Sequence, residues 1–494
     1  MSGATPAELS DRPIDWDEFD RQRRRNLARW PTGADVDLDE AVAFHRALPE
    51  HKRLSPLLRK AVAEKRCLTQ PRGGFGTLEM QLELLRALEH DGLADVLPTS
   101  TDSYTRNEQF ERAAAGSEES GREGRSMLNG FPIVNQGVAA CRRLVEAVGR
   151  PLIVLAGTAM PRLSAEIALA GGYTGYLGSG IAYTTSYTKD VSIADGIRNY
   201  QYLDRLTALY GERGVTIHRR QPGFLTGTTV PPSIAIAIAI LDTLLAANQG
   251  VREYAIELGQ VLHLVQDAAA LSVVPGLCRH YLHQAGLGEV FTPTISLHWM
   301  GAWPADEAAA ASMLAVGGLT AAVGGAVSVT TKSTHEAIGL PTPAANADGL
   351  RMARMGIHLA RNVRLDGLPA FESEKELIRR EVHAIVGKVL EMGDGDAAIG
   401  TVRAFESGVL DVPWSPNRQV RSRVVPARDA EGCLRILDPG AMPFPRDALE
   451  YNRERLRRAA ERKGAADPLE LGIASVYEMT ESLAKLQPPL TIAD

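Results

Sequence analysis

Residues 67–102 read CLTQPRGGFGTLEMQLELLRALEHDGLADVLPTSTD. A short apolar run, Cys67 to Gly74, ends in glycines. A helical stretch, Thr77 to Gly92, leads to a second apolar run, Ala94 to Asp102, that ends in polar residues. The theme recurs down the middle of the chain. Further runs are NGFPIVNQG (Asn129 to Gly137), PLIVLAGT (Pro151 to Thr158), TGYLGSG (Thr174 to Gly180) and VTIHRRQPG (Val215 to Gly223). The last three are REYAIELGQ (Arg252 to Gln260), VFTPTISLHW (Val290 to Trp299) and AVSVTTKS (Ala326 to Ser333). Amphipathic stretches such as AACRRLVEAVG (Ala139 to Gly149) lie between them. Apolar strands alternating with such helices predict a parallel sheet with helices on its faces.

The expected fold is therefore α/β, a TIM-type (β/α)8 barrel, with a doubly wound sheet as the alternative. The count gives nine candidate strands where a barrel needs eight, so one is in excess. The barrel is expected at residues 61–345, after an N-terminal helical extension (1–60) that turns at Trp30-Pro31-Thr32-Gly33. A helical and loop-rich region (346–494) follows, with helices at Asn346 to Leu365 and Glu374 to Met392. Its last helix, YNRERLRRAAERKG (Tyr451 to Gly464), alternates Arg and Glu at helical spacing, the pattern of a solvated face. Barrel chemistry sits at the C-terminal strand ends, and those ends carry Arg72, Asp102, Arg106, Asn129, Lys332 and Glu336.

Composition narrows the function class. The chain has 494 residues and a formal net charge of −6, so no general electrostatic pull toward nucleic acid or an anionic membrane is expected. Cys67, Cys141, Cys278 and Cys433 form no CxxC pair, which suggests neither a zinc site nor a disulfide framework. A reducing cytoplasm fits them, as does the polar, acidic start MSGATPAELSDRPIDWDEFD, which lacks a signal-peptide pattern. The most apolar segments, Ser233 to Ala247 and Ser312 to Val329, hold Asp242 and four glycines respectively, and read as buried elements rather than membrane spans.

Motif by motif, common site types fall away. Neither GSG at Gly178 nor the run before Lys332-Ser333 completes a phosphate-binding loop, and GxGxxG is absent from GGYTGYLGSGIAYTTSY (Gly171 to Tyr187). His335-Glu336 opens like HExxH, but position 339 is Gly, so two zinc ligands do not share a helical face. His280 and His283 have no nearby carboxylate or cysteine and read as an exposed helix face. Arg72 and Arg106 leave two readings open. They clamp an acidic substrate, or each pairs with a structural acid such as Asp102.

Taken in order, QPRGG, STDSYTR, LNGFPIVNQG, LTGTTVPPS, TTKSTHEAIGLPT, IGTVRAFESGVLDVP and YNRERL, with RWPTG near the start, closely resemble the large (epsilon) catalytic subunits of adenosylcobalamin-dependent glutamate mutase (methylaspartate mutase). The resemblance covers nearly the whole chain. It implies a TIM-barrel isomerase subunit that interconverts L-glutamate and threo-3-methylaspartate by radical rearrangement. The cofactor supplies that chemistry, and the barrel positions and shields it. A separate small cobalamin-binding subunit would cap the barrel mouth and ligate cobalt through a DxHxxG histidine. This chain has no DxHxxG. The implied assembly is a heterotetramer built through a dimer of this chain.

Carried over by motif, Lys332 and Glu336 match the pair that holds the adenosine moiety. Gly74, Asn129, Trp303 and Leu340 match positions lining the cofactor, and Ser186 stands at another, where the family pattern has proline. Arg72 and Arg106 match two of three carboxylate-binding arginines. Tyr183 and Tyr187 match two pocket tyrosines and are the candidate catalytic residues. The third arginine falls at Leu155, and the glutamate that holds the substrate ammonium falls at Leu177. Arg162 is no replacement, because the family has an arginine there too.

Losing one partner of a buried charge pair typically costs about 3–5 kcal/mol. Sites built around polar partners reject mismatched substrates by about 10⁴ or more. A glutamate zwitterion would set its charges against leucine, so a less charged acid is the expected substrate. Two other readings remain. One is a catalytically silent scaffold for a cobalamin subunit, against which the retained Arg72, Arg106, Lys332 and Glu336 speak. The other is an unrelated lyase, which needs a Schiff-base lysine without a carboxylate beside it, unlike Lys332 with Glu336.

Overall fold

The computed structural model describes residues 9–224, 229–463 and 470–475. Residues 225–228, the LTGT of LTGTTVPPS, and Gly464 at the end of the basic helix lie outside them.

Eight parallel strands run round a barrel: β1 (Leu68–Pro71), β2 (Leu97–Ser100), β3 (Leu152–Leu155), β4 (Gly175–Leu177), β5 (His218–Gln221), β6 (Tyr254–Gly259), β7 (Thr294–Leu297) and β8 (Ser328–Thr331). Each strand pairs with its chain neighbour from β2 to β8, and β8 pairs with β1. The remaining seam, between β1 and β2, is closed differently. Asp95 N donates to Thr69 O at 3.0 Å, Thr69 N donates to the Asp95 carboxylate at 2.9 Å, and Ser100 N donates to Gly73 O at 2.8 Å.

One of the nine expected strands is not a strand. Residues 129–137 touch the sheet only through the bridge Thr101–Phe131, and a helix, Ile133–Ala147, starts in the middle of the run. Pro132 sits at its N-cap, where its missing N–H costs nothing. That leaves the eight a barrel needs.

The strands are short and buried on both faces. β5 is unusual because it reads HRRQ and every residue is buried. Its charges are taken up by partners. Arg219 points outward to Asp204 (2.8 Å) and to the carbonyls of Tyr176 and Gly178. His218 meets Glu253 at 3.2 Å, and Arg220 turns into the barrel. A buried charge persists in this way only when paired.

Helices cover the outside. Pro232–Asn248 is buried over almost its whole length between the barrel and the long helix Pro369–Met392, as its apolar sequence requires. Pro343–Ala360 and Glu307–Val323 lie so close that a Cβ at Gly318 or Gly356 would strike the facing backbone, at Ala353 O and Ala315 O. No helix among the described residues is long and apolar enough to cross a membrane.

The N-terminal segment forms helices Trp16–Leu27, Leu38–Ala47 and Leu54–Ala63, with the tight turn at Pro31–Asp35. After Pro369–Met392 and Ala397–Ser407, the segment expected to be loop-rich contains an antiparallel hairpin, β9 (Val425–Arg428) and β10 (Leu434–Asp438). The helix Arg446–Lys463 carries the Arg/Glu ladder, with Arg457 and Arg458 both bonded to Glu454 on its solvated side.

Candidate active site

The C-terminal ends of β1 to β4 each deliver one side chain to a single cavity. Arg72 follows β1. Arg106 closes a helical turn, Ser103–Arg106, after β2. Leu155 ends β3 and Leu177 ends β4, and the two are partners in register. Helix Gly180–Tyr187 then brings Tyr183 and Tyr187 over the cavity, which Glu257 of β6, Met300 and Thr330 of β8 complete.

Asp102 does not pair with Arg106. Its carboxylate caps the turn, accepting from Tyr104 N at 2.8 Å and Thr105 N at 3.0 Å. Arg106 Nε donates to Thr101 O at 2.7 Å, and Arg72 contacts the Met300 sulfur at 3.5 Å. Among the described residues neither guanidinium has an ion-pair partner, so the reading in which each serves a structural acid is not what the geometry holds. Burial pushes the Arg106 guanidinium below its usual value, and the positive charge of Arg72 adds to that push. Arg106 lies across Gly157, whose φ of +61° places it in the left-handed region glycine favours.

Tyr183 and Tyr187 meet edge to face, with ring centroids 5.1 Å apart. Tyr183 is buried, which raises its phenol well above the usual value, against a backbone hydrogen bond from Gly157. Tyr187 is 39% exposed and stands at the rim. Their helix is held by a loop more than two hundred residues later. Asn417 Nδ2 donates to Thr184 O (3.3 Å), Thr188 Oγ1 (3.2 Å) and Val191 O (2.9 Å), and Ser415 Oγ donates to Thr185 O at 2.6 Å. Arg162 is turned away, bonded to Asn199 and Gln22.

Glu257 was not foreseen. It is buried, and its Oε1 accepts from Arg220 and from Thr330 Oγ1 at 2.5 Å. Arg220 also donates to Thr330 and to Gln70 Oε1, the latter at 2.8 Å. Four strands thus contribute to one polar layer below the cavity. The only sequence signal was a glutamate inside the apolar run YAIELG.

Beside the cavity, Lys332 Nζ donates to Glu336 Oε2 at 2.7 Å and lies 5.4 Å from the centre of the Trp303 ring. Burial lowers the Lys332 ammonium from its ordinary value, Arg72 adds to that, and Glu336 opposes it. Gly74 has no room for a side chain, since a Cβ would meet Ser100 O and the Gly130–Phe131 backbone. Asn129 is exposed and accepts from Ser103 N at 2.9 Å. Leu340 is 51% exposed, and the Ser186 hydroxyl has no hydrogen-bond partner among the described residues. A lysine–carboxylate pair against an indole is a donor set that fits a nucleoside. No group of three or more His, Cys, Asp or Glu that could hold a metal occurs among the described residues. His280 and His283 are exposed, in a groove at the opposite end of the barrel.

Comparison with known proteins covers nearly the whole chain. Residues 48–484 match the Methylaspartate mutase E chain family. The glutamate mutase epsilon subunit of Desulfitobacterium hafniense is 44% identical over 481 residues, 97% of this chain and 99% of that protein. The epsilon subunit of Escherichia coli O157:H7 is 41% identical over 96% of this chain and 98% of its own. That of Haloarcula marismortui is 43% identical over 93% and 92%.

Proposed function

The chain belongs to the Methylaspartate mutase E chain family, and from that premise we propose that it is the catalytic subunit of an adenosylcobalamin-dependent carbon-skeleton mutase with a substrate other than L-glutamate. The preferred substrate is a small acid that carries less charge. The observation that carries this reading is that Leu155 and Leu177 line one cavity with two guanidiniums that have no ion-pair partner among the described residues.

Arg72 and Arg106 bind the substrate carboxylate, for which the planar guanidinium is the suited donor. Leu155 and Leu177 face its hydrocarbon part. Tyr183 and Tyr187 cover it and keep water out. Lys332 and Glu336 would hold the ribose hydroxyls of the adenosyl group through charge-assisted hydrogen bonds, with Trp303, Gly74, Asn129, Ser186 and Leu340 as further lining residues. When bound, the cofactor supplies the organic radical that starts the rearrangement. The cobalt is held by a small partner subunit with DxHxxG, in a cytoplasmic assembly of two large and two small subunits.

The test is anaerobic electron paramagnetic resonance of this chain with a small cobalamin-binding subunit, adenosylcobalamin and a panel of acids. A cob(II)alamin–radical signal with an acid other than L-glutamate supports the proposal. An equal or stronger signal with L-glutamate removes the altered preference. Silence with every acid moves the reading to a scaffold for the cobalamin subunit.

A further inference from the structure

Among the described residues that line the cavity, Glu257 is the one carboxylate. Its Oε1 is taken by Arg220 and Thr330. Among the described residues its Oε2 accepts one long bond, from Gly223 N at 3.3 Å. A carboxylate oxygen has two lone pairs, and a buried one is normally satisfied. One acceptor site on Glu257 therefore remains for whatever fills the cavity.

The charge of that occupant follows from the neighbours. Glu257 is already neutralised by Arg220. Arg72 and Arg106 line the same cavity, and Lys332 is near enough to Arg72 to feel its charge. An ammonium at Glu257 would add a further positive charge to this group, whereas a hydroxyl donates the same hydrogen bond without one. On the β3–β4 side, Leu155 and Leu177 offer no side-chain acceptor. Ser100, Tyr183, Tyr187 and Thr330 bring hydroxyls to the cavity, and Glu257 on β6 brings the one charged acceptor among its described lining residues.

We infer that Glu257 is a specificity-determining residue, and that the acid taken by this site carries a neutral hydroxyl which donates to Glu257 Oε2 while Arg72 and Arg106 hold a carboxylate. This inference rests on the function proposed above and names its substrate class: a small hydroxy acid. Arg220 and Thr330 act as positioning residues that hold the Glu257 carboxyl in place.

The experiment is calorimetric titration of the full chain with glutarate, the two enantiomers of 2-hydroxyglutarate, and L-glutamate, repeated with Glu257→Gln. One 2-hydroxyglutarate enantiomer is expected to bind at least about tenfold tighter than glutarate, the scale of a hydrogen bond to a charged group. Glu257→Gln is expected to erase that difference and leave glutarate binding within about threefold. Equal binding of glutarate and both hydroxy acids, all above L-glutamate, overturns the Glu257 assignment and leaves the proposed function standing. Tightest binding by L-glutamate overturns both. If Glu257→Gln does not fold, a crystal structure of the wild-type chain with the preferred enantiomer decides. A hydroxyl within hydrogen-bond distance of Glu257 Oε2 supports the inference, and a hydroxyl placed elsewhere overturns it.

Discussion

Leu155 and Leu177 stand side by side in register on neighbouring parallel strands and line the same cavity. Residues so paired point to one side of the sheet, so their side chains share one environment. In the resemblance, these two positions hold an arginine and a glutamate. An arginine at 155 without the glutamate would add a third guanidinium to a cavity that already holds Arg72 and Arg106, at about 3–5 kcal/mol for a buried charge without a partner. The two positions are therefore expected to change together.

Their coupling is measurable. Leu155→Arg, which adds a third guanidinium beside Arg72 and Arg106, should destabilise the chain by about 3–5 kcal/mol, and Leu177→Glu, which shares the cavity with those two arginines, should destabilise it less. The double variant should lose less than the sum by at least about 1 kcal/mol. Denaturant unfolding of the four chains gives the cycle, and strict additivity would show that the two sites do not form a unit. Calorimetry should find improved L-glutamate binding in the double variant alone.

Arg106 is placed for binding rather than for stability. It is half-buried, has no ion-pair partner among the described residues and feels the positive charge of Arg72. Arg106→Met keeps much of the apolar stem and removes the buried charge. The melting temperature should hold or rise, while affinity for any carboxylate ligand should fall about 30-fold or more, the cost of losing a buried charged partner. A large drop in melting temperature would assign Arg106 a structural role.

Asp242 gives the chain a specific pH dependence. Burial raises its carboxyl from 3.8 to about 7, against a backbone hydrogen bond from Ile181 N at 3.1 Å. Between those values the folded state holds a proton that the unfolded state releases, so this contribution to stability is present below about 4 and lost as pH rises through about 7. Asp242→Asn retains an acceptor for Ile181 and titrates nothing. Its advantage over wild type should grow from pH 5 to pH 8, by a few kcal/mol at most. Burial pushes His298 down to about 3, and that residue contributes a slope of opposite sign, so the difference between the two chains is the quantity to measure by thermal unfolding. A difference that does not vary with pH would refute the Asp242 assignment.

The barrel was legible because its strands are short, apolar and separated by helices, a pattern set by local sequence. The error at 129–137 has the same origin. FPIV carries the apolar content of a buried strand, and a run that short does not separate a strand from the first turn of a helix. The hairpin of β9 and β10 was missed because β9 contains Pro426 and Arg428 and has little alternation. In the site, Arg72 and Arg106 stood out as charges beside glycine and turn residues. Glu257 did not. It acquires meaning only when Gln70, Arg220 and Thr330 arrive from three other strands, and no spacing along the chain encodes that meeting.

The bonds from Asn417 and Ser415 to the helix of Tyr183 and Tyr187 also set an order of assembly. On the ribosome, all eight barrel strands emerge before residue 415 does. A nascent chain halted after β8 would possess the sheet and both arginines but lack the tether on its tyrosines. Completion of the substrate cover is thus deferred until residues 415–417 have been made, which ties a finished pocket to a chain that already extends well past its last barrel strand.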